Sequence, residues 1–260
     1  MSRLASSSSH FRIVMLGAPG SGKGTYAKSL AAKLPNLTMN KDVVNNNNNR
    51  PLPILSTGDM IRSEIVNNTK LGREAKEASE RGLLVPDSLV TEVVLSKLED
   101  SSRVNYNDGF ILDGYPRTLN QARTLSEHDL LSPTTVVNVD LAQDVIIEKL
   151  LGRRVCSKCG TSYNLANVID VDRGYNMPAM LPLKGCLNTL EKRADDTLEV
   201  IQRRLEIYEK ETGPLIEWYE ERGLLVHFKV KNGMKDLPSL IKKIKKHVNV
   251  QIIANEWAKV

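Results

Sequence analysis

An apolar hexapeptide, Phe11 to Leu16 (FRIVML), runs directly into Gly17-Ala18-Pro19-Gly20-Ser21-Gly22-Lys23-Gly24-Thr25. Beyond Lys23, Ala27, Leu30, Ala31 and Leu34 recur at i, i+3, i+4 and i+7, the period of a helix with one buried face. A short buried strand must therefore turn through glycines straight into a helix. Such a turn curls its backbone N–H groups inward, and the helix N-terminus adds positive potential. That is a cradle for phosphate, and Lys23 stands where its ammonium reaches the outer oxygens. One position departs from the usual pattern: Gly24 follows the lysine, and the hydroxyl arrives one place later at Thr25.

Further apolar runs at 54–56, 110–112, 135–139 and 224–230 read as strands, with helical patterns between them, such as Val90, Val93, Val94 and Leu98. Short apolar strands alternating with helices predict an α/β protein, a five-stranded parallel sheet covered on both faces. Ligands of such sheets bind beyond the strand C-termini, where Gly17, Thr57–Asp59 and Asp113 fall. Two segments break the pattern. Residues 38–53 are Asn-rich and bracketed by prolines, the composition of a surface insertion. Residues 153–194 hold all three cysteines and little periodicity, and read as a separate small lobe.

The chain of 260 residues is 41% hydrophobic and 26% charged, with net charge +5. It has no apolar run long enough to span a bilayer, so no membrane partner is expected. An odd number of cysteines argues against a secreted disulfide scaffold. The first ten residues carry Arg3 and serines, with no acid before Asp42; this fits a short organelle-targeting segment, and a reducing mitochondrial or cytoplasmic compartment is expected. Lysines 242, 243, 245 and 246 resemble a nucleic-acid patch, but Leu237, Leu240, Ile241, Ile244 and Val248 thread a helical stripe through them. A solvated helix face is the expectation, and no nucleic-acid partner.

Two more segments carry chemistry. Ser56-Thr57-Gly58-Asp59-Met60-Ile61-Arg62 and Gly109-Phe110-Ile111-Leu112-Asp113-Gly114-Tyr115-Pro116-Arg117-Thr118 each end a strand with an acid and place an arginine a few residues on. Guanidinium forks grip phosphate oxygens in pairs, and strand-end carboxylates suit the water shell of Mg²⁺. Phosphoryl transfer asks a protein for this kind of positioning and charge neutralisation.

Taken in order, GAPGSGKGT, STGDMIR, GLLVPD, GFILDGYPRT, GRR and RADD resemble the adenylate kinase family, from Ile13 to about Lys235. The resemblance implies a P-loop fold with core segments 11–55, 87–152 and 195–260, a helical lobe at 56–86 that binds the nucleoside monophosphate, and an inserted lid at 153–194. It implies transfer of a phosphoryl group from ATP to AMP, giving two ADP, by a monomer using Mg²⁺. Gly17, Gly20, Ser21, Gly22, Lys23, Gly24, Thr25 and Arg153 would hold the donor. Thr57, Arg62, Val85, Gly114, Arg117 and Gln121 would hold AMP. Lys23, Arg117, Arg153, Arg193 and Arg204 would carry catalysis, and Asp59 and Asp113 would orient the waters of Mg²⁺.

Two positions leave alternatives open. Lys149 stands where family members commonly stack an arginine on the donor base, which keeps a GTP:AMP phosphotransferase in view. Cys156, Cys159 and Cys186 stand where long lids carry zinc, but Thr189 takes the fourth position and no histidine lies in the lobe. The lobe is then either a zinc site or a degenerate one held by packing and hydrogen bonds. A P-loop ATPase switch and a basic nucleic-acid-binding module are the readings from other classes.

Overall fold

The computed structural model describes residues 11–34, 50–81, 83–99, 109–128, 131–182 and 184–257. The ten-residue tail and most of the Asn-rich insertion lie outside them. At its centre is a five-stranded sheet of β1 (Phe11–Leu16), β2 (Ile54–Ser56), β3 (Gly109–Asp113), β4 (Thr135–Asp140) and a late strand, Leu225–Lys229. All neighbours are parallel, in the order Leu225–Lys229, β4, β1, β3, β2. The five expected strands are all present, two with the expected ends and three with ends shifted by one residue.

Side chains alternate across the sheet, and both sets are buried. Ile13, Met15, Ile111, Val137 and Val139 join one hydrophobic cluster, while Val14, Leu16, Phe110, Leu112 and Val136 join the other. Two buried faces explain why these strands read as continuous apolar runs. Helices α1 (Lys23–Lys33), α6 (Gln143–Leu151), α7 (Leu198–Ile207) and α9 (Leu237–Trp257) contribute to the first cluster. The second takes α4 (Asp87–Glu99), α5 (Leu119–Ser126) and α8 (Pro214–Glu220). Ala27, Leu30 and Ala31 of α1 and Leu34 at its C-cap, the four expected core residues, are all buried. In α7 Ile201 and Leu205 are buried, while Leu198, the first residue of the helix, lies 49% exposed. On α9, Lys242, Lys243 and Lys246 are exposed around buried Leu240 and Ile244, a solvated face as expected.

Helices α2 (Thr57–Val66) and α3 (Lys70–Glu80) form a hairpin between β2 and α4. Their crossing is close: a Cβ at Gly72 would stand 2.0 Å from the Glu64 carbonyl oxygen. The cysteine segment folds as short antiparallel strands: β5 (Arg153–Cys156) pairs with β6 (Ser162–Asn164) and β9 (Leu190–Glu191), while β7 (Val168–Asp170) and β8 (Tyr175–Met177) make a separate hairpin. The strand Leu225–Lys229 is β10. Leu52 leads into β2, donating its amide to the Ala31 carbonyl at 3.0 Å. Among the described residues no helix is long and apolar enough to cross a membrane.

The register sets Met15 and Ser56 both beside Asp113. The C-terminal ends of β1, β2 and β3 therefore open onto one crevice, with β4 on the other side of β1. Leu30, fully buried in the first cluster, tests the packing beneath that crevice. Leu30→Ala is expected to lower the unfolding free energy by about 2–5 kcal/mol, read from urea midpoints.

Candidate active site

The loop 17–25 is built by its glycines. Gly17 has φ 138°, and a Cβ there would lie 2.4 Å from the Val139 carbonyl oxygen. Gly20, at φ 87°, would drive a Cβ to 2.6 Å from Leu150 Cγ. Gly22 ends the loop in the left-handed region and supplies no side-chain cap, and no acid occupies the first turn of α1. The first amides of α1 are thus presented to whatever anion enters. Lys23 Nζ folds back over the loop, donating to the Gly17 carbonyl at 2.6 Å and the Ala18 carbonyl at 2.9 Å. Burial pulls its pKa down to about 8, against the attraction of Asp113 and with the repulsion of Arg117, Arg204 and Arg153.

Across the crevice, Thr57 is buried and donates to the Gly114 carbonyl at 2.8 Å. The same carbonyl accepts Arg117 Nε at 2.8 Å. A cis Tyr115–Pro116 bond lies between Gly114 and Arg117. The Arg117 amide donates to Gln121 Oε1 at 2.7 Å, and Gln121 Nε2 donates to Asp87 Oδ1 at 2.8 Å. Each end of the Gln121 amide keeps one bonding site free of these two partners. Thr57, Val85, Arg117 and Gln121 share a small recess with Ile61, Leu84 and Val90. Arg62, on α2, pairs with Asp59 at 2.5 Å.

Between these two ends lie the remaining arginines. Arg153 grips the fully buried Asp196 with Nε at 2.8 Å and Nη2 at 2.5 Å. Arg204 bonds Asp195 at 2.8 Å. Burial lowers the pKa of Arg117 to about 10, reinforced by Arg204, and that of Arg193 to about 10, reinforced by Arg153. Asp113 moves the other way: burial raises it, against Lys23 and Arg117. One cavity of about 550 Å³ takes in the loop, Arg62, Arg117, Arg153, Arg193 and Arg204 together. Eight basic side chains line it against three acidic ones. Cations crowded in this way await a polyanion.

Four residues outside the expected site set support it. Asp195 and Asp196, the acids of the RADD motif, aim Arg204 and Arg153. Asp87, in GLLVPD, orients Gln121. Thr212 donates to the Arg117 carbonyl at 2.8 Å from a π-helical turn, Tyr208–Thr212; no local pattern signals that turn.

In the cysteine lobe the Sγ atoms of Cys156, Cys159 and Cys186 lie within 4.8 Å of one another. Thr189 Oγ1 takes the fourth corner, 3.0 Å from Cys156 Sγ. That hydrogen bond, with backbone amides of the turn, holds the Cys156 thiol down to about 6 against its burial.

Residues 15–224 match the family model described as adenylate kinase. An adenylate kinase of Acetivibrio thermocellus is 39% identical over 231 residues, covering 86% of this chain and 93% of that protein. One from Caldanaerobacter subterraneus is 37% identical, covering 90% and 95%. A probable adenylate kinase 6, chloroplastic, of Arabidopsis thaliana is 38% identical, covering 87% and 72%.

The depressed Lys23 gives a pH test. In the free protein Lys23 is largely neutral above pH 8, and a bound polyanion favours its charged form. Titration calorimetry of inorganic tripolyphosphate at pH 9 should therefore show proton uptake that Lys23→Met lacks. At pH 6.5 the two proteins should differ little in protons exchanged.

Proposed function

Because this chain belongs to the adenylate kinase family, a family of nucleoside-monophosphate kinases, we propose that it transfers the γ-phosphoryl group of ATP to AMP, giving two ADP. The observation that carries this reading is one cavity that joins an anion cradle to a cluster of cations, with a separate small recess of Thr57, Gln121 and apolar side chains adjoining it at Arg117. Two nucleotides set end to end would bring their terminal phosphates into that cluster.

Donor phosphates enter loop 17–25, and Lys23 exchanges the Gly17 and Ala18 carbonyls for phosphate oxygens. AMP takes the recess, its base edge meeting the free donor and acceptor of Gln121, its phosphate meeting Arg62 and Arg117. An AMP phosphate oxygen attacks the γ-phosphorus as the bond to the β–γ bridging oxygen breaks. No general base is required, since the attacking oxygen is already ionised at neutral pH. Charge spreads over the transferred group in the transition state, where preorganised guanidinium groups are worth most. Arg153 and Arg193 supply them from the lid segment and Arg204 from α7 of the core. Closure of the lid excludes water and protects the donor from hydrolysis.

Asp113 and Asp59 would hold the waters of Mg²⁺. Carboxylate oxygens suit that hard cation, and the bare Gly24 leaves room beside Asp113 Oδ2, where a Cβ would come to 3.0 Å. When bound, the ion draws charge from the phosphate oxygens. For zinc the lobe offers three fitting thiols and a threonine, an incomplete set for a closed structural site. No step of the reaction is derived through zinc.

ADP formation from ATP paired with AMP, GMP, UMP or CMP tests the reading: AMP should be the preferred acceptor, and negligible ADP with AMP would overturn it. Arg117→Ala should cut kcat by about 10³–10⁵-fold. Purified protein should carry well under one zinc equivalent by mass spectrometry, with a melting temperature unmoved by a chelator. One tightly held equivalent would reverse the conclusion about the lobe.

A further inference from the structure

The β7–β8 hairpin lies in the segment expected to form the lid, yet it packs on the core. Val168, Tyr175 and Met177 are buried in the same hydrophobic cluster as α1, α6 and β10. The Asn176 amide donates to the Lys231 carbonyl at 2.9 Å, just beyond the end of β10. Lys231 Nζ returns the contact, donating to the Arg173 carbonyl at 2.7 Å while lying 4.0 Å from the centre of the Tyr175 ring. Arg173 completes the clasp. Its Nη1 and Nη2 take both oxygens of Asp144, in the first turn of α6, at 3.0 and 2.7 Å, and its Nε takes Asp170 at 2.6 Å. Three polar contacts, to the Lys231 carbonyl, from Lys231 Nζ and to Asp144, add to the apolar burial that joins this ten-residue hairpin to the core.

The clasp has a position that matters. Met177 is only 2% exposed, yet it lines the large cavity, as do Lys149, Met180, Val230, Gly233 and Met234. A Cβ on Gly233 would come 3.6 Å from Met177 Cγ, so hairpin and post-β10 loop are in contact. These residues lie over the β4–β10 side of the sheet, while the recess with Thr57 and Gln121 lies over β2 and β3. With the donor phosphates on the loop after β1, the donor base has the β4–β10 side left to it. Lys149 cannot stack there as a planar guanidinium would. Its carbonyl is taken by Asn164 Nδ2 at 2.8 Å.

We infer that the clasped β7–β8 hairpin is a fixed wall of the donor-base subsite and that Met177 contacts the donor base, an apolar surface in place of a stacked guanidinium. The inference rests on the proposed ATP:AMP reaction for which side the donor takes. A thioether packs on the π-face of any purine, so the wall holds the base without reading its edge. The moving part of the lid is then the three-stranded β6–β5–β9 unit with its cysteines, and the hairpin stays with the core.

The test compares ATP with tripolyphosphate, which has the donor's phosphates and no base. Met177→Gln keeps the length of the side chain and removes its apolar surface. Calorimetry without AMP should show ATP binding weakened about five- to thirtyfold, with tripolyphosphate binding unchanged. In steady state the KM for ATP should rise and that for AMP should stay. Equal weakening of ATP and tripolyphosphate, or unchanged ATP binding in a folded variant, would overturn the inference. If near-ultraviolet circular dichroism shows that Met177→Gln does not fold, Arg173→Gln decides from the surface. Loosening the clasp should weaken ATP about threefold and leave tripolyphosphate alone, and no such selectivity would equally overturn it. A wild-type protein that makes no ADP from ATP and AMP would instead defeat the proposed reaction, and is read in a separate assay.

Discussion

Like charges do not gather willingly. Lys23, Arg117, Arg153, Arg193 and Arg204 converge on one crevice, and burial with mutual repulsion lowers the pKa of each member for which a shift is resolved. Much of the surrounding structure answers that repulsion. Asp196 and Asp195 take two of the arginines, carbonyls of the loop occupy Lys23, and the Gly114 carbonyl and Thr212 hold Arg117 at its side chain and backbone. The carboxylates and loop carbonyls are acceptors that phosphate oxygens can replace, so crowding the cations carries an electrostatic cost that a bound polyanion removes.

The parallel sheet makes the gathering possible. Lys23 follows β1, Arg117 follows β3, Arg153 opens β5 and Arg204 sits on α7, segments far apart in sequence. With every strand pointing the same way, chain connections leave the sheet at one edge, and cations placed after strands meet there. The rigid floor below is two-sided: the alternating residues of β1, β3 and β4 fill one cluster with odd-numbered positions and the other with even-numbered ones.

Legibility followed how local the signal was. The loop was readable because glycine, lysine and the flanking periods sit within twenty-odd residues, and the five strands because burial on both faces leaves continuous apolar runs. The motif resemblance named Arg204, which follows RADD on a helix whose buried face is Ile201 and Leu205. Gln121 could be named, but not Asp87, thirty-four residues away, which fixes its amide. Thr212 reaches Arg117 across ninety-five residues from a π-helical turn that no pattern announces. The docking of β7–β8 was hidden for the same reason. Its apolar residues are few and short-range periodicity is absent, and the contacts that place it, Asp144 and Lys231, belong to other elements.

The order of strands carries a consequence for how the chain is made. β1 leaves the ribosome first but lies between β3 and β4, so its two neighbours are synthesised only after about a hundred further residues. β10, which closes the far edge, comes later still. Pairings that span so much chain must pay their loop-closure entropy before any burial rewards it, and an apolar hexapeptide without partners is a hazard while it waits. Co-translational folding of this protein should therefore be late and abrupt, with the glycine loop acquiring its shape only once Val139 and Leu150 exist to pack against it.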